Sequence, residues 1–390
     1  MTERRKFVST TPENSETPLE ALRSWVTPNR LFFVRNHFPV PELDIATWKL
    51  QVDGRVERPL SLTFDELAAM PERTVFATVE CAGNGRSFLQ PRAAGVQWGA
   101  GAIGHAEWTG VPVRDVLEKA GLKADASEIL FEAHDRGTES DHPEPMAFER
   151  SLPLKKALDP NTLLVYRMNG ELLEPNHGYP LRLFVPGWYG VASVKWLKRI
   201  SALDHTFKGY FQTTKYTVQQ RTPSGVETVV VGPMAVKSEI VRPHAGATVG
   251  IGTHRIFGVA WAGEEAVDGV AVSTDAGKTW TPAQLMGPSA AYSWTLWEYL
   301  WEVARPGSYQ ILSRATSARG RVQPTDHDSL NGGYLIHHSR PLTVIVEGAR
   351  RAVEVSADLE SLMYDMQVFA EDNARRRLDV DLEFVGGDGI

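Results

Sequence analysis

Up to about residue 215 the apolar positions follow two rhythms, with short helical stretches and short strand-like runs taking turns. "TPLEALRSW" offers Thr17 as N-cap, Pro18 at the first helical position and Glu20 to reach back to the cap, which predicts a helix. "TFDELAAMP" repeats the device with Thr63 and Glu66, and Pro71 ends it. In "VPVRDVLEKAG", Val113, Val116, Leu117 and Ala120 share one helical face and Gly121 closes the segment. Between these lie β-branched and alternating runs that read as strands: "WKLQVDG", "TVFATVE", "EILFEAH", "NTLLVYRMNG" and "LRLFVPG". The first part of the chain is therefore expected to be a mixed α+β domain.

The helical period then fades. From 235 to 347 the runs "HRIFGVAWAG", "VDGVAVSTDAGKTWTPAQL", "GSYQILSRATS" and "PLTVIVEG" predict short strands joined by turns, the pattern of an all-β sandwich. "QQRTPSGVET" between the two regions is expected to be a linker. The polar opening, residues 1–16, is expected to be a disordered tail. Residues 348–390 contain "ADLESLMYDMQVFAEDNARRR", whose spacing and mixed charge predict a terminal helical extension.

Composition removes several function classes. A formal net charge of −7 without a basic segment argues against a nucleic-acid partner. No apolar run approaches the roughly 18 residues that cross a bilayer, so no membrane span is expected. The paired Arg4 and Arg5 lack a following apolar region, which makes a cytoplasmic protein the expectation, or a periplasmic one if those arginines act in export. At 390 residues the chain is long enough for two domains, each with its own core.

There is a single cysteine, Cys81, so no intramolecular disulfide can form. It sits in "VECAGNGRSF", where a strand gives way to a loop carrying Gly83, Gly85 and Arg86. A buried structural thiol is the plain reading of such a residue. The glycines would let the backbone approach something bulky, and a nearby cation favours thiolate over thiol. A thiolate here could be a nucleophile, with His37, His105, His134 or His177 as base, or a soft metal ligand. Ordinary zinc binding is disfavoured, because no second cysteine and no H-E-x-x-H are present. One sulfur among several arginines suits a metal whose other ligands come from an anionic cofactor.

"VECAGNGR" resembles the cysteine loop of the sulfite oxidase family, molybdenum enzymes that carry a pyranopterin dithiolene cofactor. Further stretches match in order: "FVRNHFPVPELD", "VQWGAGAIGHAEWTGVPVRDVL", "NHGYPLRLFVPGWYGVASVKWLKRI" and "VAVSTDAGKTWTPAQL". The last resembles a turn of the family's immunoglobulin-like dimerisation domain. The resemblance implies a molybdopterin-binding catalytic domain over 17–220, an immunoglobulin-like dimerisation domain over 235–347 and a homodimer.

It also implies roles. Cys81 corresponds to the molybdenum ligand, the only metal ligand implied. Asn36, His37, Asp135, His177, Arg182, Ser193 and Lys195 correspond to residues that hold the pterin and its phosphate. Arg35 and Arg86 correspond to arginines facing the substrate oxyanion, Trp98 to the tryptophan walling that pocket, and Arg340 lies about one residue from an arginine brought in by the second domain. For the catalytic tyrosine, "GYFQTTKY" has the length of the family segment and points to Tyr216, with Tyr210 as the fallback.

The implied reaction is oxidation of sulfite to sulfate by oxo transfer, with electrons passing to dioxygen or to a separate acceptor such as a cytochrome. No haem motif is visible, neither C-x-x-C-H nor H-P-G-G beside an acidic domain, so no haem is expected. Relatives that reduce nitrate or sulfoxides keep the same cofactor and form the alternative. A metal-free binding protein built on the same fold is the rival from another class.

Overall fold

The computed structural model describes residues 4–348, so the predicted helical extension lies outside the described residues apart from Gly348. The predicted disordered tail does not hold for residues 6–16. Lys6–Thr10 (β1) and Glu13–Glu16 (β2) form an antiparallel hairpin, and β2 pairs on with Val34–Arg35 (β3). Asn14, Ser15 and Glu16 are buried because their polar groups are paired, Ser15 donating to Glu13 within the strand, Asn14 accepting from Arg35 and Glu16 accepting from the Gly99 amide. Polarity made this stretch look solvated. A buried polar segment is stable when its groups are paired, and sequence does not show the pairing.

Two sheets carry the rest of the first unit. Lys49–Gly54 (β4), Leu60–Thr63 (β5), Glu128–Glu139 (β8), His142–Pro153 (β9) and Leu197–Leu203 (β13) run in the order β5-β4-β13-β8-β9, with β13 parallel to β4. Arg73–Glu80 (β6), Ile103–Pro112 (β7), Leu163–Met168 (β10), Glu171–Leu172 (β11) and Arg182–Phe184 (β12) build the other, in the order β11-β10-β7-β6 with β12 also on β10. The helices are short. Phe64–Ala68 (α1) begins with the Thr63–Glu66 capping box, both halves of it formed. Val113–Ala120 (α2) buries Val113, Val116, Leu117 and Ala120 and ends at Gly121 in the left-handed conformation. The helix predicted after Thr17 is reduced to a single 3-10 turn, Leu19–Ala21, because the Thr17 hydroxyl donates to the Ile103 carbonyl instead of capping.

The "QQRTPSGVET" stretch is a hairpin rather than a free linker, with Thr217–Thr222 (β14) and Gly225–Val230 (β15) in register. Beyond it, two sheets form a sandwich. One runs Lys237–Arg242 (β16), Gly252–Trp261 (β18), Thr295–Val303 (β22) and Gln284–Met286 (β21). The other runs Thr248–Gly250 (β17), Leu342–Glu347 (β24), Gly307–Ser317 (β23), Val267–Ser273 (β19) and Thr281–Pro282 (β20). The α+β unit followed by an immunoglobulin-like sandwich is thus the observed architecture. No helix among the described residues is long and apolar enough to cross a membrane.

The two units share buried contacts. The indole of Trp25 donates to the Trp294 carbonyl at 3.2 Å, and that of Trp294 donates back to the Trp25 carbonyl at 2.9 Å. His105 stacks on Trp294 and meets Trp25 edge-on, its Nδ1 2.6 Å from the Trp25 carbonyl. Full burial pushes His105 down to about 3. Its folded value lies below the unfolded 6.5, so the unfolded chain takes up the proton first. Stability supplied by His105 is therefore complete above pH 6.5 and lost as pH falls from 6.5 towards 3. His105→Phe keeps the ring and removes the proton site, so urea titrations between pH 7 and 4 should show a flatter loss of stability than in the wild type.

Candidate active site

The ends of several strands, and the loops that follow them, converge on one cavity enclosing about 710 Å³ of empty space, part of it open to solvent. Its lining includes Arg35, Asn36, His37, Cys81, Asp135, His177, Arg182, Ser193, Lys195 and Tyr216. Residues spread over most of the first unit thus face one another.

Each is placed by a local feature. Cys81 follows the last residue of β6, its amide donating to Ala102 at 2.9 Å and its carbonyl accepting from Asn84, which folds the loop back. Asp135 lies in β8 where the register with β9 shifts between Glu132 and Arg136, a bulge of the kind that re-aims a side chain. His177 closes the 3-10 turn Pro175–His177, and Gly178 after it takes φ +107°, a conformation that glycine adopts without penalty. Trp196 and Tyr216 are non-glycine residues at φ +50° and +56°, at a cost of about 1–2 kcal/mol each. At Tyr216 that backbone brings the hydroxyl to within 2.6 Å of His37 Nε2.

The cavity is electrostatically unbalanced. Arg35 donates to Asn14 Oδ1 at 3.2 Å and to the Asn36 carbonyl. Arg182 donates to the carbonyls of His177 at 3.0 Å and Ser193 at 3.2 Å, and its Nε has no partner. Lys195 Nζ donates to the Asn36 side chain and, at 2.8 Å, to the Asn176 carbonyl. Every one of these acceptors is neutral. Asp135 is the one carboxylate in the lining, against three cations.

Burial accordingly pushes Arg182 down to about 9 and holds Lys195 well below the usual ammonium range. The same desolvation lifts Asp135 to about 7, opposed by Lys195, and Tyr216 to about 12. His177 is pushed to about 3 by burial and then by the neighbouring cations, so it stays neutral, as does His37, also displaced downward by burial and by Arg35. Burial pushes the Cys81 thiol up, with Arg35 the largest opposing influence.

A surplus of cations of this kind, with Arg182 buried and Arg35 and Lys195 half-buried, is costly unless an anion joins it. Among the described residues no three His, Cys, Asp or Glu side chains could hold a metal ion together. A single thiol beside a cationic cradle is compatible with the kind of group that the family resemblance implies, a metal whose other ligands come from an anionic cofactor. The residues present fit a molybdenum–pyranopterin dithiolene.

Three residues expected at the site do not line the cavity. Arg86 is buried, with Nε donating to Gly333 at 2.9 Å, Nη1 to Val96 at 2.9 Å and the guanidinium 5.2 Å from the centre of the Tyr334 ring. It stays near enough to favour the charged forms of Cys81 and Tyr216. Trp98 is fully buried in the core beneath the loop. Arg340 is spent elsewhere, on Glu239 at 2.8 Å and over the Phe88 ring at 3.7 Å. Above the cysteine loop the second unit instead brings Gly333, Tyr334 and Leu335, and Leu335 donates to the Ala82 carbonyl at 2.9 Å. Of the two candidate tyrosines Tyr210 is on the surface, hydrogen bonded to Asp141, and Tyr216 is in the cavity.

Sequence reasoning missed Asn176, Phe148 and Trp196, which also line the cavity. Asn176 and Trp196 adjoin His177 and Lys195 within the quoted motifs, and that adjacency was the available signal. Asn14, in the supposed tail, carried no such signal.

Residues 37–211 match the model of the oxidoreductase molybdopterin binding domain, and 229–332 that of the Mo-co oxidoreductase dimerisation domain. The chain is 38% identical to mitochondrial sulfite oxidase of Rattus norvegicus over 332 residues, 80% of this chain and 60% of that protein. It is 31% identical to sulfite oxidase of Arabidopsis thaliana over 356 residues, covering 82% of this chain and 88% of the relative. The sulfane dehydrogenase SoxCD of Paracoccus pantotrophus superposes with a TM-score of 0.77 at 31% identity, over 89% of this chain and 91% of that one. The chain thus spans about 60% of the length of the rat relative.

The charge imbalance can be tested without turnover. Inorganic phosphate should raise the melting temperature of the cofactor-free protein. Arg182→Gln and Lys195→Gln should each weaken that stabilisation at least tenfold in phosphate concentration, since a hydrogen bond to a charged group contributes about 1.5–3 kcal/mol. Lys215→Gln, on the surface, should leave it unchanged.

Proposed function

Because the chain belongs to the sulfite oxidase family of molybdopterin oxidoreductases, we propose that it oxidises sulfite to sulfate by oxo transfer. Sulfite and water give sulfate, two protons and two electrons, and the electrons pass to an external acceptor, dioxygen or a cytochrome-like protein. The observation that carries this reading is the buried thiol of Cys81 in one cavity with Arg35, Arg182 and Lys195, a cationic set matched by neutral acceptors and a single carboxylate.

Cys81 would hold the molybdenum, and the metal with its dithiolene supplies the two-electron oxo-transfer chemistry when bound. Arg182, Lys195, Ser193 and Asn36 would hold the pterin and its phosphate, the cations supplying charge and the neutral groups direction. Asp135, with its raised affinity for a proton, can face a pterin nitrogen as donor or acceptor. His177, neutral and buried, would pack against the ring system. Arg35 would bind the substrate oxyanion and release it after oxidation. Tyr216 stays protonated through the neutral range and shares a short hydrogen bond with neutral His37, so its phenol can hydrogen bond to an oxygen of the bound anion without adding a negative charge. The protein is proposed to act in the cytoplasm as a homodimer, the second unit matching a dimerisation domain.

A second reading has its own observation. The second unit covers the cysteine loop with Tyr334 and not with an arginine, and the chain is structurally similar to a sulfane dehydrogenase. A less highly charged or bulkier sulfur substrate would suit that roof.

Metal analysis should find about one molybdenum per chain, with sulfite reducing ferricyanide in the same sample. Cys81→Ser should abolish that turnover. Faster reduction with thiosulfate than with sulfite would favour the second reading. Arg35→Gln should raise KM for sulfite at least tenfold. Tyr216→Phe should lower kcat at least tenfold, and Tyr210→Phe should stay within about twofold of wild type; equal effects would remove Tyr216 from the site. Light scattering should give a mass twice that of one 43.2 kDa chain.

A further inference from the structure

The first hairpin meets the cationic side of the site through Asn14. Asn14 is 2% exposed and is the register partner of Arg35 across the β2–β3 pair. Its Oδ1 accepts from Arg35 Nη1 at 3.2 Å and from the backbone N–H of Asn36 at 3.0 Å. Its Nδ2 donates to Ser9 Oγ at 2.9 Å and to the Pro12 carbonyl at 3.2 Å. Two donors face the oxygen and two acceptors face the nitrogen, so only an amide, in this orientation, satisfies all four neighbours. The preceding residue continues the wall, since Glu13 accepts from Asn176 Nδ2 at 2.9 Å and from Arg5 at 3.2 Å.

We propose that Asn14 is a positioning residue: it fixes the Arg35 guanidinium toward the substrate anion and, being a neutral acceptor, adds no counter-charge to Arg35 that would compete with that anion. An aspartate at this point would give the same acceptor geometry but form an ion pair with Arg35. The guanidinium would then meet a carboxylate already in place, and an incoming oxyanion would meet a neutral pair where wild type offers a cation. The hairpin is in this way a wall of the site. Through Asn36, whose side chain accepts from Lys195, the same amide also steadies the group that holds the cofactor. This inference rests on the assignment of Arg35 to the substrate anion.

The test compares wild type, Asn14→Asp, Asn14→Ala, Arg35→Gln and the double variant Asn14→Asp/Arg35→Gln, all as full-length holoenzyme. KM and kcat for sulfite are measured together with the inhibition constant of sulfate, an inert anion of the same shape class. Asn14→Asp should raise KM and the sulfate constant at least tenfold, with kcat within about threefold and molybdenum content near wild type, at a lowered melting temperature because its second oxygen faces the Pro12 carbonyl that the amide donated to. It should add little on the Arg35→Gln background, because the charge it neutralises is already gone. An unchanged sulfate constant in metal-replete Asn14→Asp overturns the proposal. So does a tenfold loss that persists undiminished in the double variant, because a purely structural defect would not depend on Arg35.

If Asn14→Asp does not fold, Asn14→Ala carries the test. Its sulfate affinity should fall at least threefold, and that loss should vanish on the Arg35→Gln background. Stabilisation of the protein by sulfate, read as a melting-temperature shift, reports on Asn14 and Arg35 even if sulfite is not turned over. Loss of the shift in Asn14→Asp then supports the positioning role while the sulfite reading fails, and retention of the shift overturns the role.

Discussion

The carboxylate of Glu80 is the constraint on which the arrangement of the two units turns. It stands next to Cys81 at the end of β6 and is 2% exposed. One oxygen accepts from Lys237 at 3.0 Å and from Asn84 at 3.1 Å, and the other accepts from the indole of Trp261 at 2.9 Å. Lys237 and Trp261 belong to the sandwich. Lys237 also lies 3.5 Å from Glu239, which pairs with Arg340. Breaking such a buried pair from one side costs about 3–5 kcal/mol, because the remaining charge has neither water nor partner. The strand that presents the thiol is thereby held by the sandwich as much as by its own sheet. Leu335 bonding to the Ala82 carbonyl and Gly333 bonding to Arg86 fasten the loop that follows.

Buried charge is used in two opposite ways within one molecule. Around Glu80 each formal charge has an opposite charge or a directed donor, and the network is closed. In the cavity three cations point at neutral oxygens and a single carboxylate, and the set is left open. A closed network fixes geometry. An open one is costly to the empty fold and favourable once an anion arrives, so binding the cofactor also contributes stability. The left-handed backbone at Trp196 and Tyr216 is a further strain accepted at the same site.

Much of the fold was legible. The capping box at Thr63, the apolar face of Val113–Ala120 and the β-branched runs each encode an element by local chemistry, and those elements formed. From the ordered motifs Arg35, Asn36, His37, Cys81, His177, Arg182, Ser193 and Lys195 line one cavity, whereas Arg86 and Trp98 do not. Illegible were the features that depend on a partner distant in sequence. The first hairpin reads as polar and loose until Gly99, Arg35 and Asn176 supply its hydrogen bonds. Thr17 looks like a helix cap until the Ile103 carbonyl claims its hydroxyl. Arg340 looks like a site arginine until Glu239 and Phe88 hold it away.

The sequence by itself determined which chemistry is available: one thiol, a spaced set of cations and amides, and two runs of elements of different class. Those follow from residue identity and local periodicity, which no distant contact alters. Tertiary structure alone decided which of these groups are free to act. Arg35, Arg182 and Lys195 keep a surplus of positive charge over Asp135 because the fold gives them neutral hydrogen-bond acceptors. Arg86 is held by backbone carbonyls and Arg340 by a carboxylate. Whether a cation meets an anion of its own chain or one from outside is a question of distance in space, and distance in space is what folding sets.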